Sequence, residues 1–231
     1  MEYLPGGMQL EIPSGCFPLT TDSMALAYFA GWLGRRSVLD LGSGCGTLGL
    51  LLCAGNPDCR VTGLELNHAA HEAALANIAR NRLETRVESI CADIMQVPAL
   101  FASGQFDCCI SNPPYFSGGP DAKLPFARRE DCCSLAQLIK SAAWAVKFGG
   151  DFFLVHRPER LAEIIALGAR HQLEAKRLCL LRHQANAPIA LVLLQMRKGG
   201  KPGLSIEDLT LHHPDGSKTA AYRKIYHITE E

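Results

Sequence analysis

Residues 37–50, SVLDLGSGCGTLGL, place the tightest constraint on the fold. An apolar run meets glycines at 42, 44 and 46, and apolar residues then resume at once. A strand that stops in a glycine turn and continues as a helix leaves that helix N-terminus open, with no side chain between its N–H groups and a ligand. The strand is apolar on both faces, so helices must cover both sides of the sheet it joins.

The rest of the chain supplies such partners. RVTGLEL (60–66), RVESICAD (86–93), FDCCIS (106–111), DFFLVHR (151–157), LEAKRLCLL (173–181) and IALVLLQMR (189–197) read as further strands. HAAHEAALANIARNR (68–82), LAQLIKSAAWAVK (135–147) and the stretch from Glu159 to His171 repeat apolar residues at helical spacing, and Gly149-Gly150 stops the second of these. Strands alternating with helices predict an α/β, Rossmann-like, doubly wound sheet of seven mostly parallel strands. The short connection HQANAP (183–188) predicts an antiparallel strand at the edge. One domain accounts for the chain: a cap segment over 1–36, the core sheet over 37–198, and a basic C-terminal tail over 199–231 packed on the core.

No apolar run reaches eighteen residues and no basic flank leads into an apolar stretch at the N-terminus, which predicts no membrane span, no export signal and a cytoplasmic monomer. Of ten cysteines, Cys45, Cys53, Cys91, Cys108, Cys109 and Cys179 fall inside apolar runs and none forms a CxxC pair. That pattern reads as buried thiols, not disulfides or a metal site. Net charge is zero, yet residues 1–115 carry 6 Lys+Arg against 11 Asp+Glu, and residues 116–231 carry 17 against 12. A basic second half suits an anionic partner.

Gly44, Gly46 and Gly49 also satisfy a dinucleotide fingerprint, with Glu65 placed for a ribose, so the glycines alone admit a nicotinamide cofactor and hence an NAD(P)-binding reductase. Two acids favour a different cofactor. Asp40, just before the turn, would repel a pyrophosphate and attract an ammonium group. Asp93, ending the third strand, is placed to accept from an adenine amine, or else to cap the segment 94–101. S-adenosylmethionine carries both an amino acid and an adenosine. DLGSGCG, the acid of LELN and the acid of CADI resemble the motifs of class I S-adenosylmethionine-dependent methyltransferases. The resemblance implies that Asp40, Gly42, Gly44 and Gly46 face the methionine part, Glu65 the ribose and Asp93 the adenine.

SNPPYF (111–116) ends the fourth strand in a turn that belongs to neither a helix interior nor a central strand. Asn112 offers a side-chain carbonyl and Pro113 a backbone carbonyl; with Pro114 stiffening the bend, two acceptors would hold a planar NH₂ group by both hydrogens. Tyr115 and Phe116 would give a base a surface to stack on. NPPY in this place resembles the signature of amino-directed methyltransferases, which act on an adenine amine, a guanine amine or a glutamine amide. TDSMALAYF, SNPPYF and FARREDCCSLAQLI (126–139) together resemble the bacterial tRNA adenine-N6 methyltransferase group that modifies a valine tRNA beside the anticodon. That resemblance implies tRNA as partner and no metal. It places Thr21 and Asp22 near the cofactor, where their alternative is a helix cap. Lys123, Phe126, Arg128 and Arg129 would then meet RNA in the segment after the catalytic turn. Cys132-Cys133 departs from the group's pattern.

Overall fold

The computed structural model of the chain describes residues 1–31, 37–114 and 134–227. A short hairpin, β1 (Glu2–Tyr3) with β2 (Gln9–Leu10), precedes α1 (Thr21–Ala30). There follow β3 (Ser37–Leu41), α2 (Thr47–Gly55), β4 (Arg60–Glu65), α3 (His68–Arg80), β5 (Val87–Cys91), α4 (Val97–Leu100) and β6 (Phe106–Ser111). After the proline turn come α5 (Leu135–Ala145), β7 (Val146–His156), α6 (Leu161–Arg170), β8 (Leu173–Gln184), β9 (Ile189–Lys198), β10 (Ser205–His212) and α7 (Ala220–Tyr226).

The main sheet runs β10-β8-β9-β7-β6-β3-β4-β5, and every neighbouring pair is parallel except the two that involve β9. The expected doubly wound class is present, with two differences. Among the described residues the sheet has eight strands, because Ser205–His212 leaves the predicted tail and pairs with β8. Its sequence is polar as befits an edge: Glu207 and Asp208 lie against Arg177 and Arg182 of β8. The antiparallel strand is also internal, since β9 turns back between β7 and β8. Asp151 of β7 stands directly opposite Arg197 of β9. The guanidinium holds both carboxylate oxygens, Nε–Oδ1 at 2.9 Å and Nη2–Oδ2 at 3.2 Å, with Asp151 fully buried. A shift of register would strand a buried charge, so the pair fixes that register.

Side chains of alternate residues divide between two cores. Phe153 and Val155 join Val38, Cys108 and Ile110 beneath α1, α2 and α7, while Phe152 and Leu154 join Leu39, Leu41 and Leu64 beneath α5 and α6. The apolar runs were continuous because both faces are covered. The expected helix over 135–147 ends at Ala145, and β7 passes through Gly149-Gly150. A Cβ at Gly150 would lie 2.6 Å from the carbonyl oxygen of Asp107, a close approach only glycine permits.

The N-terminal segment is stitched to α3. Asn81 Oδ1 accepts the Gln9 N–H at 2.8 Å and Asn77 Oδ1 the Glu11 N–H at 2.9 Å. At the other end of the chain, the hydroxyls of Tyr226 in α7 and Thr21 in α1 meet at 2.8 Å, joining the first long helix to the last. Of the cysteines expected in the core, Cys45, Cys53, Cys108, Cys109 and Cys179 are buried, but Cys91 is exposed. It lies on β5, an edge strand, where an alternate residue faces solvent.

Candidate active site

In an open parallel sheet, ligands sit beyond the carboxyl ends of the strands where the strand order reverses. Here that place lies at β3, which has β4 and β5 on one side and β6 and β7 on the other. A crevice opens there, lined by Gly42, Ser43 and Gly44 from the turn, Leu64 and Glu65 from β4, Asp93 and Ile94 after β5, Asn112 and Pro114 after β6, and Phe17 and Ser23 from the N-terminal segment.

The turn is built by glycine conformation and by two strands. Gly42, Gly44 and Gly46 all take positive φ, at 77°, 55° and 84°. Leu64 O accepts from the N–H groups of Gly42 at 2.9 Å and Ser43 at 3.0 Å. Glu65 then takes the Gly44 N–H on Oε2 at 2.8 Å and the Asn67 N–H on Oε1 at 2.8 Å. From the far side, the fully buried Asn77 of α3 donates to Cys45 O at 3.0 Å. Beneath the turn, a Cβ at Gly63 would fall 2.7 Å from Ser43 Oγ and 2.9 Å from Ser43 Cβ. Gly63 is therefore part of the site, and a glycine inside a strand was the signal that could have found it.

Of the acids expected here, Glu65 and Asp93 are on the crevice wall. Asp93 is also the helix cap that was its alternative reading: Oδ1 accepts the Met95 N–H at 2.8 Å, and Gln96 Oε1 accepts the Asp93 N–H in return at 3.0 Å. Asp40 stands off the wall. It is fully buried beneath the turn, and among the described residues neither carboxylate oxygen has a hydrogen-bond partner. Burial first, and the nearby Glu65 second, push its carboxyl up to about 8. Thr21 and Asp22 also miss the crevice; they line a neighbouring cleft with Arg157, His183 and Tyr226.

At the end of β6, Ser111 Oγ donates to Leu41 O at 2.7 Å, which locks the start of the proline turn to β3. Asn112 then stands in the crevice and donates from Nδ2 to Ser23 Oγ of α1 at 3.0 Å. Pro113 and Pro114 back onto an adjoining apolar pocket with Leu135, Leu138 and the buried His156. Ser23 was missed because a serine near a helix start reads as capping chemistry. Tyr115, Phe116, Lys123, Phe126, Arg128, Arg129 and Cys132-Cys133 lie outside the described residues.

The glycine turn, Glu65, Asp93 and Asn112 thus converge on one crevice, with Leu64 and Ile94 as apolar walls. A glycine turn with no side chains to block approach, two carboxylates and apolar surface fit an adenosine bearing an amino-acid arm. No group of three or more His, Cys, Asp or Glu among the described residues is placed to hold a metal. No helix among them is long and apolar enough to cross a membrane.

Comparison with known proteins agrees with this geometry. The methyltransferase small domain family matches residues 32–170. A tRNA1(Val) (adenine(37)-N6)-methyltransferase of Porphyromonas gingivalis strain W83 is 31% identical over 175 residues, 71% of this chain and 69% of the relative. The Shewanella putrefaciens protein of the same name is 28% identical over 221 residues, 92% of this chain and 90% of the relative. Among solved structures, a predicted O-methyltransferase from Agrobacterium tumefaciens superposes with a TM-score of 0.75 at 22% identity, covering 89% of this chain and 95% of that one, a likeness of fold.

Proposed function

The chain belongs to the methyltransferase small domain family, and on that premise we propose that it moves a methyl group from S-adenosylmethionine to the N6 amine of an adenine in tRNA, with adenine 37 of a valine tRNA as substrate. The observation that carries this reading is the position of Asn112 and Pro114 in the same crevice as the glycine turn, Glu65 and Asp93. A reductase needs a pyrophosphate site and has no use for a rigid acceptor turn beside it; membership of a methyltransferase family agrees.

The cofactor would supply a methyl group made electrophilic by a sulfonium. The chain does the rest by binding and orientation. Each Glu65 oxygen accepts one N–H and retains a second lone pair for a ribose hydroxyl. Asp93 spends Oδ1 on its cap and presents its other oxygen to the adenine amine. Gly42 and Gly44 let the methionine arm approach the backbone, whereas Gly46 is off the crevice wall, where a Cβ would meet Ala74 of α3 at 3.5 Å. Asp40 acts from behind the turn as a charge: a cofactor ammonium would draw it toward its ionised form.

On the acceptor side, Asn112 Oδ1 and the Pro113 carbonyl take the two hydrogens of the target amine, which aims its lone pair at the methyl group. The amine attacks without a strong base, because alignment and a sulfonium that departs as a neutral thioether supply the driving force, and the methylated nitrogen loses its proton afterwards. The base must leave its stack to enter the crevice. Thr21, Asp22 and Arg157 border the adjoining cleft on the α1 side. We read the protein as a cytoplasmic monomer that meets tRNA through its basic second half.

The decisive test is methyl transfer to tRNA from cells lacking this protein, followed by mass spectrometry of nucleosides. N6-methyladenosine appearing in valine tRNA is the expected product. Methyl appearing on a guanine amine of ribosomal RNA or on a protein glutamine amide, and not on tRNA adenine, would overturn the reading.

A further inference from the structure

Among the described residues that line the crevice, Phe17 is the one aromatic side chain. Cys16 and Leu19 on either side of it pack against the core beneath α1 and α2, but Phe17 joins neither core. Among the described residues its ring meets no other ring and no cation. It is half-buried all the same, with the crevice beside it. Two anchors fix where along the crevice it stands. The buried amide of Asn77 donates to Glu11 O at 2.9 Å and to Cys45 O at 3.0 Å, which pins the N-terminal segment to the glycine turn. Further along that segment, Ser23 Oγ meets Asn112 Nδ2 at 3.0 Å. Phe17 lies on the stretch between these anchors, and so between the turn that admits the methionine arm and the turn that grips the acceptor.

A sulfonium held in that gap carries a full positive charge. Glu65 and Asp93 belong to the wall that takes the adenosine, and Asp40 is buried behind the turn. A carboxylate against the sulfonium would oppose transfer, because the charge disappears as the methyl leaves. A ring face attracts a cation more gently and still packs against a neutral thioether. We infer that Phe17 is a cofactor-binding residue whose ring face recognises the sulfonium charge, so that the site favours S-adenosylmethionine over the S-adenosylhomocysteine left after transfer, whose sulfur is uncharged. The inference rests on the proposed function for the identity of the cofactor. Phe17 serves the exchange of spent cofactor for fresh, not the chemical step.

The test is calorimetric affinity of wild type, Phe17→Leu and Phe17→Tyr for S-adenosylmethionine, S-adenosylhomocysteine and sinefungin, an analogue with an ammonium in place of the methylated sulfur. The ratio of each cation's affinity to that of S-adenosylhomocysteine is read within one protein, so a general loosening of the crevice cancels. Phe17→Leu keeps apolar bulk and has no ring face; its two ratios should fall about fivefold, or about 1 kcal/mol at 1.4 kcal/mol per tenfold, the size of a cation on a ring. Phe17→Tyr keeps the face and should hold both ratios within about twofold of wild type. Ratios unchanged in Phe17→Leu, whether all three ligands weaken together or none does, overturn the inference alone. Ratios that fall equally in Phe17→Tyr and Phe17→Leu overturn it too, since the face would then not be what matters. A wild type that binds none of the three ligands overturns the proposed function and this inference with it.

Discussion

The Gly44 N–H donates to Glu65 Oε2 at 2.8 Å, so the glycine turn and the acid that ends the next strand form one hydrogen-bonded unit. The second carboxylate oxygen holds Asn67, the N-cap residue of α3. Glu65 therefore shapes the crevice as well as lining it. Glu65→Ala should weaken S-adenosylhomocysteine binding by tenfold or more, about 1.4 kcal/mol per tenfold, because it removes the proposed ribose acceptor and releases the turn together. Isothermal calorimetry decides this; affinity within about twofold of wild type would rule out the assignment.

Asn112→Ala should separate chemistry from binding. Turnover should fall about a hundredfold, on the order of 3 kcal/mol of barrier, the usual cost of a lost preorganised contact to the reacting group. Glu65, Asp93 and the glycine turn remain, so S-adenosylhomocysteine should bind almost as before. Single-turnover kinetics paired with calorimetry measures both; an unchanged rate would remove Asn112 from the mechanism.

Asp40 makes stability depend on pH. Its folded carboxyl titrates near 8, against an ordinary value of 3.8. Between these values the unfolded chain has lost the proton and the folded chain keeps it, so stability falls as pH rises from about 4 to about 8 and levels off above. The whole span is on the order of 5 kcal/mol at most. Asp40→Asn has no carboxyl to ionise. In urea melts, the stability of this variant relative to wild type should improve steadily from pH 5 to pH 8. A gap that stays constant over that range would contradict the burial argument.

Gly63→Ala should injure the site from below. The new Cβ would sit 2.7 Å from Ser43 Oγ and push the turn upward. Overpacking of this kind costs roughly 1–3 kcal/mol, and the affected atoms border the cofactor crevice. Both the denaturation midpoint and S-adenosylhomocysteine affinity should drop. A variant with wild-type affinity would mean that the turn does not rest on Gly63.

The sequence announced what is local and what is buried on both faces. Ser37–Leu41, Arg60–Glu65 and Phe106–Ser111 are strands as read, because continuous apolar runs closed by glycine, acid or proline leave few other structures. The convergence of Gly44, Glu65, Asp93 and Asn112 was likewise legible, since each ends a parallel strand at the same side of the sheet. Pairing order was not. That β9 lies inside the sheet is set by partners such as Asp151 and Arg197, which are 46 residues apart. β10 was hidden by the charges an edge strand carries. Asp40 fell beneath the wall because side chains alternate along a strand, and one step in register decides between crevice and core. Ser23 was illegible for a similar reason: its partner is chosen by the packing of α1, not by its neighbours in the chain.

The hydroxyl contact between Thr21 and Tyr226 ties the helix that carries Ser23 to the last helix described. During synthesis, the glycines, both wall acids and the proline turn all leave the ribosome well before Tyr226 does. A nascent chain holding every one of those groups still lacks the hydroxyl that Thr21 meets on α7, so α1 gains this contact only after the whole cofactor cradle has emerged.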